Sequence, residues 1–442
     1  MGVSRRNFIK SSLITAGLLS SGEMVVDEAL AGEKSLFPRH EALGVGQGIH
    51  PGRVVWMHDP EAVHWSGMDF WWKPENFDQG RILQMTRNGI MRLTGEDSPQ
   101  KAWDALFAWR NAKNGREGGY RPGQKIAIKV NMNGAGENND DPHGQFGVSY
   151  GNPLLLQTLL RSLVRDGGVR PEDIVIYDTC RIFPDHMQAM CTEGDLKGVK
   201  FSYRDLGGPK DSVADKKARI QWAGNVSGEP TYFPTCLTEA DYLINLGNLK
   251  GHSWGLTLGG KNHFGSFIND DRRTTPAAAG LHPNIINGKM GGYSVLADLM
   301  ARKEIGGKTM LVMLDGLITA PSETVTISPE NSVWTMPPFN GHQASSLFFS
   351  QDPVAIDSVG ADFLVNEPNM QRHNSNMRGK PQMENYLHEA ALLPHPPSQT
   401  NYTDGAGSNP GSLGVHEHWN NAEEKLYGRN RGLKEGIELI KN

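Results

Sequence analysis

The chain has 442 residues, with 44 Lys and Arg against 49 Asp and Glu and a formal net charge of −5. A mildly acidic chain without a basic run is a poor partner for nucleic acid, and an aromatic content of 8% excludes a disordered polymer. The length suits one large α/β domain with decoration, or two domains, and 52 Gly with 26 Pro imply many turns and long loops.

The N-terminus reads MGVSRRNFIKSSLITAGLLSSG. Arg5 and Arg6 form a twin-arginine pair, and the apolar run 13–19 that follows is too short to span a bilayer. Ala29-Leu30-Ala31 supplies a small-x-small cleavage signature, so residues 1–31 are expected to be a removable export signal of the twin-arginine type. Its loss removes Arg5, Arg6 and Lys10 together with Glu23, Asp27 and Glu28, which leaves the net charge unchanged. The expectations are a periplasmic or extracellular protein without a stable membrane span, and the twin-arginine translocase as partner during export. Such signals carry folded proteins, many of them already loaded with a cofactor, into a compartment without nucleotide triphosphates.

Short β-branched or apolar runs that end in polar or glycine clusters predict strands at 53–57, 125–130, 173–177, 200–203, 241–246, 309–314 and 345–349. Helical periodicity predicts helices over 79–93, from Ser98 onward, and over 154–165, 293–303 and 353–364. This alternation gives the α/β class: a layered, largely parallel sheet with helices on both faces. Residues 366–442 are rich in Asn, Pro, Gly, Ser and His and read as an irregular C-terminal segment packed on an α/β domain over 32–365. Trp419, Tyr427 and the apolar run 437–440 argue that it docks rather than hangs free.

Cys180, Cys191 and Cys236 include no C-x-x-C pair, so no iron–sulfur cluster is expected, and buried thiols are favoured over a single disulfide.

Ligands of open α/β sheets sit beyond the carboxyl ends of the strands. The residues that follow the predicted strands are His58 and Asp59, Asn131 with the polar loop 138–143, and Asp178, Thr179 and Arg181. Asn248, Lys250 and His252 follow the next, then Asp315 and Gly316, then Gln351 and Asp352. They converge if the sheet is parallel, although exposed loops are polar in any case.

The stretch GLTLGGKN, 255–262, imitates a phosphate-binding loop, but Asn262 stands where Ser or Thr would hold Mg²⁺ and the strand ends too early. The better reading is a polar cluster on a glycine-rich turn. Gly255, Gly259 and Gly260 allow close backbone approach. Lys261 beside Trp254, Leu258 and Phe264 would be poised as a base or imine-forming amine, and His252 and His263 suit proton transfer. The alternative is a helix start with a solvated lysine.

His416 and His418 lie two apart, so an extended strand points both to one face as a two-nitrogen metal half-site. Its further ligands would come from His58, His64, Asp140, Asp141 or His143; the alternative is imidazoles bonded to backbone carbonyls. WSGMDFWW, 65–72, is either a stacking platform for a sugar or aromatic ligand, or a mini-core under a loop.

The segments KIAIKVNMNG, LINLGNLKGHSWGLTLGGKNHFG, LVMLDGL and SLFFSQDPVAIDSVGADFL, in that order, resemble the domain of unknown function 362 family, in its secreted branch. The positions that carry the resemblance are Asn131, Lys250, His252, Lys261, Asn262, Gly265 and the stretch from Asp352 to Asp357. The resemblance implies a fold and candidate positions, not a reaction. His252 with Gly259, Gly260 and Lys261 is also similar to the nickel-dependent lactate racemase family, where the lysine tethers an organic nickel cofactor, but the spacing differs by one residue.

The expected function is an exported, cofactor- or metal-dependent enzyme acting on a small polar molecule. His252 and Lys261 would be its acid/base or cofactor-anchoring pair. Asn131, Asp178, Lys250, Asn262, His263, Asp315 and Asp352 would be its ligand- or cofactor-binding residues, and His416 and His418 its metal ligands. The cofactor would be a divalent metal or a metal–organic group. The rival is a periplasmic binding protein for a small polar or anionic ligand, using the same cleft without a general base.

Overall fold

The computed structural model describes residues 40–136, 147–226, 230–269, 281–286, 288–377 and 381–442. The expected export signal and the polar loop 138–143 lie outside them. Eight strands build one sheet: β1 (Arg53–His58), β2 (Ile126–Val130), β3 (Ile174–Asp178), β4 (Lys200–Tyr203), β5 (Tyr242–Asn248), β6 (Thr309–Gly316), β7 (Ser346–Ser350) and β8 (Glu438–Lys441). Their order is β8-β1-β7-β6-β5-β2-β3-β4. All run parallel except β7, which lies antiparallel between β1 and β6.

The helices that matter here are α1 (Gln79–Thr94), α2 (Pro99–Lys113), α3 (Pro153–Arg165), α4 (Gly259–Asn262), α5 (His282–Ile286), α6 (Val295–Ala301), α7 (Pro353–Val365) and α8 (Pro381–Ala391). Period-two alternation sorts each strand between two layers. Val55, Ile128, Ile244, Met313 and Phe349 pack with Ile82, Met85, Trp103 and Leu159 of α1, α2 and α3. Val54, Val312, Leu314 and Phe348 pack with Ile356, Val359 and Phe363 of α7, while Ala127, Tyr177 and Leu243 meet Leu299 of α6 and Leu387 of α8. Side chains of Asp78, Ser98, Asn152 and Asp352 cap the N-termini of α1, α2, α3 and α7, each contributing about 1 kcal/mol. A Cβ on Gly89 of α1 would stand 2.3 Å from the Phe349 ring, so this glycine sets how closely α1 rides on the sheet.

Residues 366–442 are more regular than their composition suggests. They form α8, and β8 joins the sheet edge beside β1. Ser35–Asn442 group as one unit, so this segment belongs to the same body as the sheet. Three residues of the run 437–440 fall in this strand, which spans Glu438–Lys441.

Candidate functional site

β5 carries the first group of side chains to the carboxyl edge. Past Asn248 the chain folds into a short hairpin, Lys250–His252 against Gly255–Thr257. Lys250 is fully buried, and its Nζ donates to Ser149 O at 2.7 Å. Burial pulls its pKa down to about 7. Asp315, at the end of β6, accepts from the backbone N–H groups of Asn152 (3.1 Å) and Leu317 (3.2 Å). Burial raises its carboxyl to about 6, against those two bonds and nearby Lys250.

His252 Nδ1 accepts from the Trp254 N–H at 3.0 Å and lies 3.6 Å from Glu323 Oε1. Burial, followed by the charge of Lys261, holds this imidazole neutral, well below its ordinary range. Glu323 is fixed by the Ser253 N–H (2.6 Å) and the Ser322 hydroxyl (2.7 Å). The His282 ring of α5 stacks on His252 with centroids 5.8 Å apart. Lys261 Nζ sits 3.2 Å from His282 Nε2 and 4.3 Å above the Phe264 ring. Lys261 is half-buried, and desolvation brings its pKa to about 8 although Glu323 opposes the shift. His252 and Lys261 therefore meet through His282. Arg181 adds a further cation, donating to Asn133 Oδ1 at 3.1 Å, and Asn131 Oδ1 accepts from the Asn133 N–H in the same turn.

Three of the expected ligand-binding residues are engaged inside the sheet. Lys129 Nζ donates to Asp178 Oδ2 (2.9 Å), Asn262 Oδ1 (2.9 Å) and Val130 O (2.7 Å). Asn262 Nδ2 donates to Asn245 Oδ1 at 2.7 Å, and Asn245 Nδ2 reaches His263 Nε2 at 3.1 Å. His263 is held neutral by burial, at about 3. Asp178, Asn262 and His263 thus lock the strands to the glycine-rich turn rather than face a cleft.

The turn is not a phosphate loop. The Gly259 and Gly260 N–H groups donate to Asp357 Oδ1 (2.8 Å) and Oδ2 (2.7 Å), so a carboxylate from α7 occupies the anion position. A Cβ on Gly259 would stand 3.0 Å from Asp357 Oδ1 and one on Gly260 3.1 Å from Oδ2, so a side chain at either position would crowd the carboxylate. Tyr386 of α8 also donates to Asp357, at 2.9 Å.

Asp352 is a correction. β7 runs against its neighbours, so its start, Ser346, lies beside His58 and Gly316 at the carboxyl edge and its end points the other way. Asp352 sits at the opposite edge. It caps α7 and accepts the N–H groups of Gln47 (2.8 Å) and Val415 (3.1 Å).

A second cluster forms on α7 and α8. His416, in a two-residue strand paired with Leu43–Gly44, and His418 do share one face. Their companions are His40 and Glu384, and the four ligand atoms lie within 4.8 Å of one another in a group able to hold a metal ion. His388 stands beside them, its Nε2 3.4 Å from Glu384 Oε2. The proposed co-ligands are corrected: His58 bonds Ala344 O at 3.1 Å at the sheet edge, and His64 is exposed elsewhere. Asp140, Asp141 and His143 lie outside the described residues.

The aromatic stretch divides. Trp65 and Trp71 are core, while Trp72 stacks between Phe70 (5.6 Å) and His186 (3.9 Å). A cleft of about 470 Å³ opens against it, lined by Phe70, Trp71, Thr326 and Pro329. Its loops continue into Ser149, the partner of Lys250. Cys180, Cys191 and Cys236 are thiols, with no disulfide, and no described helix is long and apolar enough to cross a membrane.

Sequence reading did not single out Lys129, His282, Glu323, His40 or Glu384. Lys129 breaks an otherwise apolar central strand, which is a signal in itself. Residues 126–362 match the model of a family described as Domain of unknown function (DUF362). No curated protein matches the chain.

Proposed function

The chain belongs to the DUF362 family; that description assigns no reaction, and we propose from the residues themselves an exported enzyme that handles a small anionic molecule by acid–base chemistry at the carboxyl edge of the sheet. One observation carries this reading. Lys250 and Lys261 lie around neutral His252, Arg181 is close enough to act on both lysines, and burial brings the two lysines to about 7 and about 8. Cations held in a water-poor site attract an anion, and groups that exchange protons near neutral pH are the ones general acid–base catalysis needs. Lys261 would move the proton, His282 at 3.2 Å would relay it, and Lys250 with Arg181 would hold the anionic group. Export through the twin-arginine translocase to the periplasm is part of the proposal. A metal on the second cluster would support this site from behind Asp357 and Tyr386 rather than touch the substrate.

Competitive reductive methylation tests the reading. The Lys261 peptide should label with a midpoint near pH 8, and phosphate, sulfate or small carboxylates should protect it and raise the melting temperature. Labelling of Lys261 only above pH 10, with no anion protecting it, would sink the proposal. Protection without any turnover across a substrate panel would favour a periplasmic binding protein.

A further inference from the structure

The second cluster has a hydrogen-bond logic of its own. The Ser358 hydroxyl on α7 donates to Val354 O at 2.8 Å, so its oxygen must accept from His416 Nδ1, 2.8 Å away. His418 Nδ1 donates to Asp362 Oδ1 at 2.7 Å, and Asp362 is itself oriented by the Trp419 N–H (3.0 Å) and the Tyr427 hydroxyl (2.9 Å). His40 Nδ1 donates to Glu41 O at 2.7 Å. Each imidazole therefore has its proton fixed on Nδ1 and turns the Nε2 lone pair inward.

Those lone pairs meet one another. His40 Nε2 and His416 Nε2 are 3.3 Å apart, His416 Nε2 is 3.2 Å from Glu384 Oε2, and His418 Nε2 is 3.1 Å from Glu384 Oε1. Glu384 Oε1 is buried, with His418 Nε2 as its neighbour. Acceptors facing acceptors repel unless a proton or a metal cation stands between them. Zinc–nitrogen bonds of about 2.0–2.1 Å in a regular tetrahedron put neighbouring ligand atoms about 3.3–3.4 Å apart; three of the six pairs here already lie at 3.1–3.3 Å, and all lie within 4.8 Å.

We propose that the Nε2 atoms of His40, His416 and His418 and the carboxylate of Glu384 bind one zinc-class divalent ion that clasps two distant parts of the chain onto α7 and α8. His40 and His416 are 376 positions apart. Three nitrogens and one oxygen suit a borderline-soft ion rather than Mg²⁺ or Ca²⁺. With four protein ligands the coordination shell is closed, which fits a structural ion. By fixing α8 against α7, the ion also holds Tyr386 on Asp357, and Asp357 on the turn that presents Lys261.

The test uses the full chain, stripped with dipicolinate and titrated with ZnCl₂ in a calorimeter. One equivalent should bind, and Co²⁺ in its place should give the intense visible bands of a tetrahedral site. His40→Ala and Glu384→Gln, both at the partly exposed side of the cluster, should weaken zinc binding by at least about 100-fold, and Asp362→Asn by roughly 10–100-fold. Stripping should speed hydrogen exchange at Gly259 and Gly260. No zinc uptake by the wild type would overturn the site and leave His418 as an ion pair between Asp362 and Glu384. Unchanged affinity in both ligand variants, or an octahedral cobalt spectrum, would overturn it as well. Unchanged exchange at the two glycines would overturn the coupling to α4.

Discussion

Two buried lysines of the same sheet, Lys129 and Lys250, are treated in opposite ways. Both are fully enclosed. Lys129 has an acceptor for each of its three protons, one of them the Asp178 carboxylate at 2.9 Å. Lys250 donates to Ser149 O at 2.7 Å, and the carboxylates of Glu323 and Asp315 act on it through space. A buried charge with matched partners is stable architecture. A buried charge without them gives up its proton easily, and that instability is usable chemistry.

This contrast can be broken by mutation. Lys129→Met should have the largest effect. It strands Asp178 and Asn262 inside the sheet and should cost about 3–5 kcal/mol in urea unfolding; a loss below about 1 kcal/mol would mean that Lys129 is not the structural partner described. Asp357→Ala should follow, at about 3 kcal/mol, because two glycine N–H groups and the Tyr386 hydroxyl lose their acceptor.

Lys250→Met should instead change the pH dependence. The folded pKa, about 7, is below the ordinary 10.5. Between those values the unfolded lysine binds a proton that the folded one does not. Wild-type stability should therefore rise with pH relative to the variant, by up to about 1.4 kcal/mol per unit, and the penalty should be full below pH 7. Parallel stability curves for the two proteins would show that Lys250 keeps its proton. Lys261→Met should change stability least, by about 1 kcal/mol or less, while removing the labelling signal near pH 8. A large loss would class Lys261 with Lys129.

The sequence made the strands and helices legible because hydrophobic period and length are local properties. Lys250, His252 and Asp315 were legible as residues that follow strands, and Lys261 as part of a glycine-rich turn. The direction of β7 was not legible, since SLFFS reads the same whichever way it runs, and Asp352 was misplaced for that reason. Asp178 looked like a site residue because it ends a strand, and Asn262 and His263 because they follow a glycine pair; neither pattern tells whether a polar group faces a ligand or a buried lysine. The His416–His418 half-site was visible as an alternation. Its completion by His40 and Glu384 depends on tertiary contact across hundreds of residues, which no local pattern encodes.

The position of β8 has a consequence for biosynthesis. β1 is the first strand of the sheet to be made, and β8, which covers its outer edge, is the last. While the ribosome is still working, β1 keeps an unpaired edge open to other chains. Sealing that edge, like joining His40 to His416, is a late event of long sequence separation and therefore slow. A chain truncated before β8 would lack the seal, so a chaperone that tests for an uncovered β1 edge would be testing whether synthesis had reached Lys441.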